Sequence, residues 1–188
     1  MLIALIVIIV IVVVLGLVLM GIYNRLVGLR QSSNQAFADI DVQLQQRRDL
    51  IPNLVETVKG YASHERGTLE AVTAARAAAA SAGTVGEKVH AENMLTGALR
   101  QLFAVAEAYP DLKANQNFLQ LQGELGDVEN KLASSRRFFN NAVSEFNAAI
   151  QQFPAVLFAG VFGFRAREFF DVGEQNRADL NVAPSVKF

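Results

Sequence analysis

Residues 2–22 read LIALIVIIVIVVVLGLVLMGI and hold no charged side chain. An apolar run of about 20 residues is long enough to cross a hydrocarbon core of about 30 Å as a helix. A lone segment can do so only as a helix, because each backbone N–H and C=O must find its partner within the segment. A cleavable leader would show basic residues ahead of an apolar core of about 7–15 residues and a small-residue cleavage site. Here no Lys or Arg precedes the run, the run is longer, and no A-x-A follows it. A helix apolar on every side, at the terminus of a modest domain, has no core to enter. The stretch therefore reads as a single membrane span that includes Leu2, Ile9, Val14, Leu19 and Ile22.

Tyr23 follows, an amphipathic ring suited to the headgroup level. Arg25, Arg30, Arg47 and Arg48 come after the span, whereas only the α-amine of Met1 precedes it. Basic residues flanking a span tend to stay in the cytoplasm. The expected orientation puts the N-terminus outside and the body in the cytoplasm, with Asp39 and Asp41 weakening the bias.

The chain has 188 residues and a net charge of −1. Roughly 165 residues remain after the anchor, the size of one domain. The balanced charge argues against general nucleic-acid binding, which needs a basic footprint. With no Cys there is no disulfide, thiolate metal site or Cys nucleophile. Four prolines, Pro52, Pro110, Pro154 and Pro184, stand far apart and leave room for long helices.

Beyond the span, Leu26, Leu29, Phe37, Ile40 and Leu44 recur at helical spacing. The opposite face carries Gln31, Asn34, Asp39, Asp41, Gln43 and Gln46, either a solvated face or one that pairs with another helix. The membrane helix is expected to run on into the body. At Pro52 either one helix kinks or a new one begins. Proline at a first helical position with Glu56 close behind favours a new start. Its apolar face would run through Leu54, Val55, Val58, Tyr61, Leu69 and Val72, past Gly60 and Gly67, to a left-handed cap at Gly83. GTVGEK, residues 83–88, then reads as a turn.

A third helix is expected from about Glu87 to Tyr109, with a stripe of Leu95, Ala98, Leu102, Val105 and Tyr109. A fourth, from about Asn115 to Phe153, has inward positions from Phe118 through Leu132 and Phe146 to Phe153, with Ser135 on the stripe. Its steps of three and four average 3.5 residues, the coiled-coil period. The fold class is all-α: an N-terminal transmembrane helix continuing into an antiparallel, long-helix bundle of four-helix type. The expected division is anchor 1–23, bundle 24–154, an apolar Phe-rich segment 155–172 and a polar tail 173–188. Residues 155–164 are too short to span a bilayer. The segment packs on the bundle or a second subunit, with Phe158, Phe162 and Phe164 as candidate apolar contacts, or lies in the membrane interface.

No catalytic constellation emerges. His64 and His90 stand alone, and the His64-Glu65 pair lacks the second His of H-E-x-x-H, where Thr68 stands instead. No Glu-x-x-His pairs for a di-metal bundle, Walker loop or G-x-S-x-G occur. No cofactor or metal is expected. The polar residues that stand out are Arg47, Arg48, Asp49 and Asn53 beside Pro52, and Glu124 and Glu129 on the fourth helix. Arg47 or Arg48 pairing across to Glu124 or Glu129 would fix bundle register, the alternative being solvated charge.

Four strings in order, YNRLVGLR (23–30), IDVQLQQRRDLIPNLVETVKGYASHE (40–65), AEAYPDLKANQNFLQLQGEL (106–125) and ENKLASSRRFFNNAVSEFNAAIQQFP (129–154), resemble the bacterial LemA family along nearly the whole chain. The resemblance implies one N-terminal transmembrane helix, a helical bundle behind it, an outer N-terminus and the bacterial inner membrane. Phe37 stands where relatives often have Trp, and Phe139-Asn140 and Phe146-Asn147 stand where Tyr-Asn pairs are common. Loss of those hydroxyls removes them as catalytic groups. The family brings no established enzymatic activity. The expected function is a non-catalytic membrane scaffold that forms a homo-oligomer, its partners being lipid and a second copy. The alternative is an adaptor to another membrane protein such as a quality-control protease. No nucleic-acid partner is expected.

Overall fold

The computed structural model describes residues 1–170. Among these the chain is all-α: α1 (Leu2–Tyr61), α2 (Arg66–Ser81), α3 (Val85–Glu107), α4 (Pro110–Lys113) and α5 (Gln116–Gln151), then one 3₁₀ turn at Ala155–Leu157. No strand occurs among the described residues. The polar tail 173–188, and residues 171 and 172 of the Phe-rich segment, lie outside them. The described chain forms two compact units.

The first unit comprises residues 1–40 and 134–169. Its apolar N-terminal run is helical from Leu2 and none of it is buried. Leu26 on α1 packs with Phe146, Ala149 and Ile150 on α5, and with Ala155, Ala159 and Phe164 beyond it. Phe37 and Phe139 rings meet at 5.4 Å. Past Pro154 the chain curls on itself. Ala159 N–H donates to the Ala155 carbonyl (2.8 Å), and Phe164 N–H to that of Ala159 (2.9 Å). Gly163 closes the curl at φ 75°, a left-handed value that glycine adopts without steric penalty.

The second unit comprises residues 41–133 together with Phe170. Ile51, Leu54 and Val58 of α1 pack with Leu69 and Val72 of α2, Leu95 and Leu102 of α3, Leu112 of α4, and Phe118 and Leu125 of α5. All five helices feed this core, the longer ones at three-and-four spacing, so each of those buries one face and exposes the other.

Several local expectations are corrected. No helix starts at Pro52; α1 runs through it to Tyr61. Proline removes the N–H that would bond the carbonyl four residues back, here that of Arg48. Arg76 Nε on α2 donates to that carbonyl instead, at 2.9 Å. The break falls at residues 62–65, just after Gly60, and Tyr61 ends exposed rather than in the stripe. Gly83 is no left-handed cap: Ala82 is the C-cap of α2 in an extended conformation. Thr84 begins a capping box, so α3 starts at Val85. Finally, Phe153 is 80% exposed, because α5 ends at Gln151.

Candidate functional site

In the second unit, Arg47 continues the buried stripe Leu44, Ile51, Leu54 at helical spacing, so its charge is carried inward. It is 2% exposed. Its Nη1 donates to Glu92 Oε2 at 3.0 Å, and Nη2 donates to Thr96 Oγ1 at 2.9 Å. Nη2 also lies 2.7 Å from Glu129 Oε1. Glu92, 1% exposed, stands three residues before Leu95 on the inner face of α3. Arg48 Nη1 lies 3.5 Å from Glu92 Oε1 and donates to the Ala79 carbonyl.

Withdrawing a charge from water costs several kcal/mol, which only good geometry and further hydrogen bonds offset. The planar, forked guanidinium reaches several acceptors at once. Here it ties α1 to α3 and α5 at one height. Such an arrangement fixes register; its charges are engaged with one another rather than aimed at a substrate.

The structure thus brings Arg47, Arg48 and Glu129 together around Glu92. It sets the other selected polar residues apart from them. Asp49 accepts from Gln45 Nε2 at 2.7 Å and shares an open cleft of about 360 Å³ with Glu124, Asp127 and Lys131. Glu124 accepts from Gln120 Nε2 at 2.8 Å. Asn53 lines a separate cleft of about 270 Å³ with Thr57 and Gln120. Among the described residues no group of three or more His, Cys, Asp or Glu side chains is placed to hold a metal ion. Elsewhere in this unit Tyr109 donates to Glu65 Oε1 at 3.3 Å. Desolvation, and then the Glu65 charge, raise the phenol above its usual range.

The first unit carries a second constellation, at the end of the apolar run. The Tyr23 ring meets Phe162 edge-on at 5.3 Å and Phe164 at 5.7 Å. The Arg30 guanidinium lies 5.1 Å from the centroid of Phe164. Phe164 is buried in the loop's own core, Phe158 is half-buried and Phe162 half-exposed. Phe153 and Val161 are the most exposed apolar residues of this loop, and Val156 and Leu157 are exposed beside them.

A polar clamp fastens this loop. The Asn147 side-chain amide takes both main-chain groups of Arg167: Nδ2 donates to its carbonyl (2.9 Å), and Oδ1 accepts from its N–H (2.8 Å). The Arg167 side chain crosses to α1, donating to Ser33 Oγ at 2.5 Å, Asn34 Oδ1 at 2.6 Å and the Arg30 carbonyl at 3.3 Å. Burial, then the nearby Arg30 charge, lower its pKa from the ordinary arginine value, yet a guanidinium in a protein keeps its proton. Sequence reasoning missed Glu92, Asn147 and Arg167. Only Glu92 left a signal, a charged residue on an apolar stripe.

A model of the LemA family matches residues 36–188. Magnetosome protein MamQ of Magnetospirillum gryphiswaldense is 24% identical over 174 residues, covering 79% of this chain and 64% of that protein. Magnetosome protein MamQ 2 of Paramagnetospirillum magneticum is 25% identical with the same coverage. Protein LemA of Metamycoplasma hominis is 25% identical over 171 residues, 88% of this chain and 76% of that protein. The chain spans just under two thirds of the length of the magnetosome relatives it matches.

Proposed function

This chain belongs to the LemA family, and from that premise we propose that it is a non-catalytic, membrane-anchored helical scaffold that self-associates at the bacterial inner membrane. One observation carries the reading. The apolar run 2–22 is helical, long enough to cross a membrane, and, but for its last turn, uncovered by the rest of the protein. An uncovered apolar surface of that size belongs against lipid or protein. The body behind it has a dense apolar core and a closed ion cluster, which is how a rigid support is built. The outward amides Gln31, Asn34 and Gln35, and the exposed ring of Phe138, supply a face for a second copy. The excess of Arg after the span supports an outer N-terminus and a cytoplasmic body, which protease protection in closed vesicles tests.

The test of the scaffold is the mass of the full-length protein in lipid nanodiscs and in mild detergent, over a range of concentrations. A defined multiple of the chain mass is expected. A monomer throughout overturns self-association. A second reading, an adaptor to another membrane protein such as a quality-control protease, is favoured by the acidic cleft of Asp49, Glu124 and Asp127. It requires a stoichiometric partner in a pull-down that is lost on D49N/E124Q/D127N.

A further inference from the structure

The loop after α5 lies beside the last turn of the apolar run. Phe153, Pro154 and Ala155 border a small cleft with Ile22, Arg25 and Leu26. Tyr23, the first residue past the run, touches Phe162 and Phe164. Counted along the helix from Leu2, about 30 Å of rise ends at Ile22, the thickness of a hydrocarbon core. The loop is therefore held at the height where lipid tails give way to headgroups.

Its outward residues suit that height. Val161 is 86% exposed, and Phe153, Val156 and Leu157 are exposed with it. Water is a poor place for such a patch. Much of the backbone beneath is paired: Val156, Leu157, Phe158, Ala159, Phe162, Gly163 and Phe164 donate their N–H groups within residues 152–164. A segment that bonds most of its own main chain can seat in the membrane interface, where water and headgroups meet the remaining donors. Arg25 beside Phe153, and Arg165 directly after Phe164, are exposed cations at the same level. They complement anionic phosphates, as on interfacial segments generally.

We propose that residues 153–162 form a second membrane contact: a shallow apolar wedge, seated in the interface of the same bilayer that takes the anchor, with Arg25 and Arg165 on the phosphates. The protein then holds the membrane at two points, one spanning and one monotopic, and its first unit is fixed against rolling about the anchor axis. This rests on the span proposed above, and the experiment separates the two.

The chain has no Trp, so introduced Trp residues report alone. Full-length Val12→Trp, Val161→Trp and Glu70→Trp are each reconstituted in phosphatidylcholine and phosphatidylglycerol vesicles, with bromine placed near the glycerol or near the mid-chain. Val12 marks the middle of the apolar run, and Glu70 is exposed on α2. The wedge predicts blue-shifted Val161→Trp emission, quenched more strongly by the shallow bromine. Val12→Trp should be quenched by the deep bromine and Glu70→Trp by neither. A red, unquenched Val161→Trp beside a quenched Val12→Trp overturns the wedge and leaves the span standing. A blue but unquenched Val161→Trp puts a second copy of the chain over the loop and also overturns it. An unquenched Val12→Trp overturns the span and the wedge with it. Since Val161 is exposed, the substitution disturbs no core; Leu157→Trp repeats the measurement.

Discussion

Arg76 Nε donates to the main-chain carbonyl of Arg48, the acceptor that Pro52 leaves without its helical partner. The proline and the arginine therefore act as a pair. Arg76→Ala should lower stability by about 1–3 kcal/mol, the range for stranding a partly buried acceptor. In a Pro52→Ala background residue 52 supplies the missing N–H, and the same Arg76 change should lose most of its effect. Chemical denaturation of the four proteins measures the coupling. Equal losses in both backgrounds would show that Arg76 does not compensate for Pro52.

The Arg47–Glu92 pair makes a second prediction, because both side chains are almost fully withdrawn from water. Removing one partner of a buried pair costs about 3–5 kcal/mol, whereas replacing both with apolar groups of similar volume is often neutral. Arg47→Met alone should lower the denaturation midpoint sharply, and Arg47→Met with Glu92→Leu should recover much of the loss. A double variant as unstable as the single one would mean that Thr96 and Glu129 need the guanidinium as much as Glu92 does.

The start of α3 predicts a pH response. Glu87 accepts from the N–H groups of Gly83 and Thr84, while Thr84 Oγ1 accepts from Glu87 N–H. The Thr84 backbone bond first, then the Gly83 one, hold its carboxyl below the ordinary value. A depressed carboxyl stabilises the fold above the unfolded-chain value of about 4.3 and loses that contribution as pH falls through the folded one. Acid titration should fray α3 from its first turn, read by amide exchange at residues 85–88. Glu87→Gln should flatten the response, and Thr84→Ala should cost about 1 kcal/mol at neutral pH.

Asn147→Ala should release the loop that Arg167 closes. Both main-chain groups of Arg167 lose their partner at once, at roughly 1 kcal/mol per bond. Trypsin should then cut after Arg165 and Arg167 several-fold faster, with cleavage after Arg48 or Arg76 unchanged. Equal acceleration at all four arginines would show general unfolding instead.

Much of this protein could be read from residue order, because a long uncharged apolar run and three-and-four spacing both leave strong marks in a sequence. The uncharged run 2–22 could be little other than a long helix, and the spacing from Phe118 to Ala149 already describes the buried edge of α5. The features that eluded sequence reasoning depend on partners distant in the chain. Pro52 looks like a helix start until Arg76 is seen to supply the missing donor. Glu92 is a single charge three residues ahead of Leu95 on its stripe, and its meaning needs Arg47, forty-five positions away. Thr84 and Glu87 carried a capping signature inside a stretch read as a turn. The Asn147–Arg167 clamp left no mark at all, since an amide that binds a main chain looks like any surface asparagine.

The first unit joins the beginning of the chain to residues made much later: Asn34 and Arg167 are 133 positions apart. Synthesis at about 5–20 residues per second puts roughly 10 s between them. Apart from Phe170, the described part of the second unit is by contrast one uninterrupted stretch, residues 41–133. During translation the apolar run therefore emerges well before the partners that brace its last turn exist, and the contiguous unit can collapse first. The order of birth is anchor, then body, then clamp, so a ribosome stalled before codon 147 leaves a chain that can insert but cannot close its first unit.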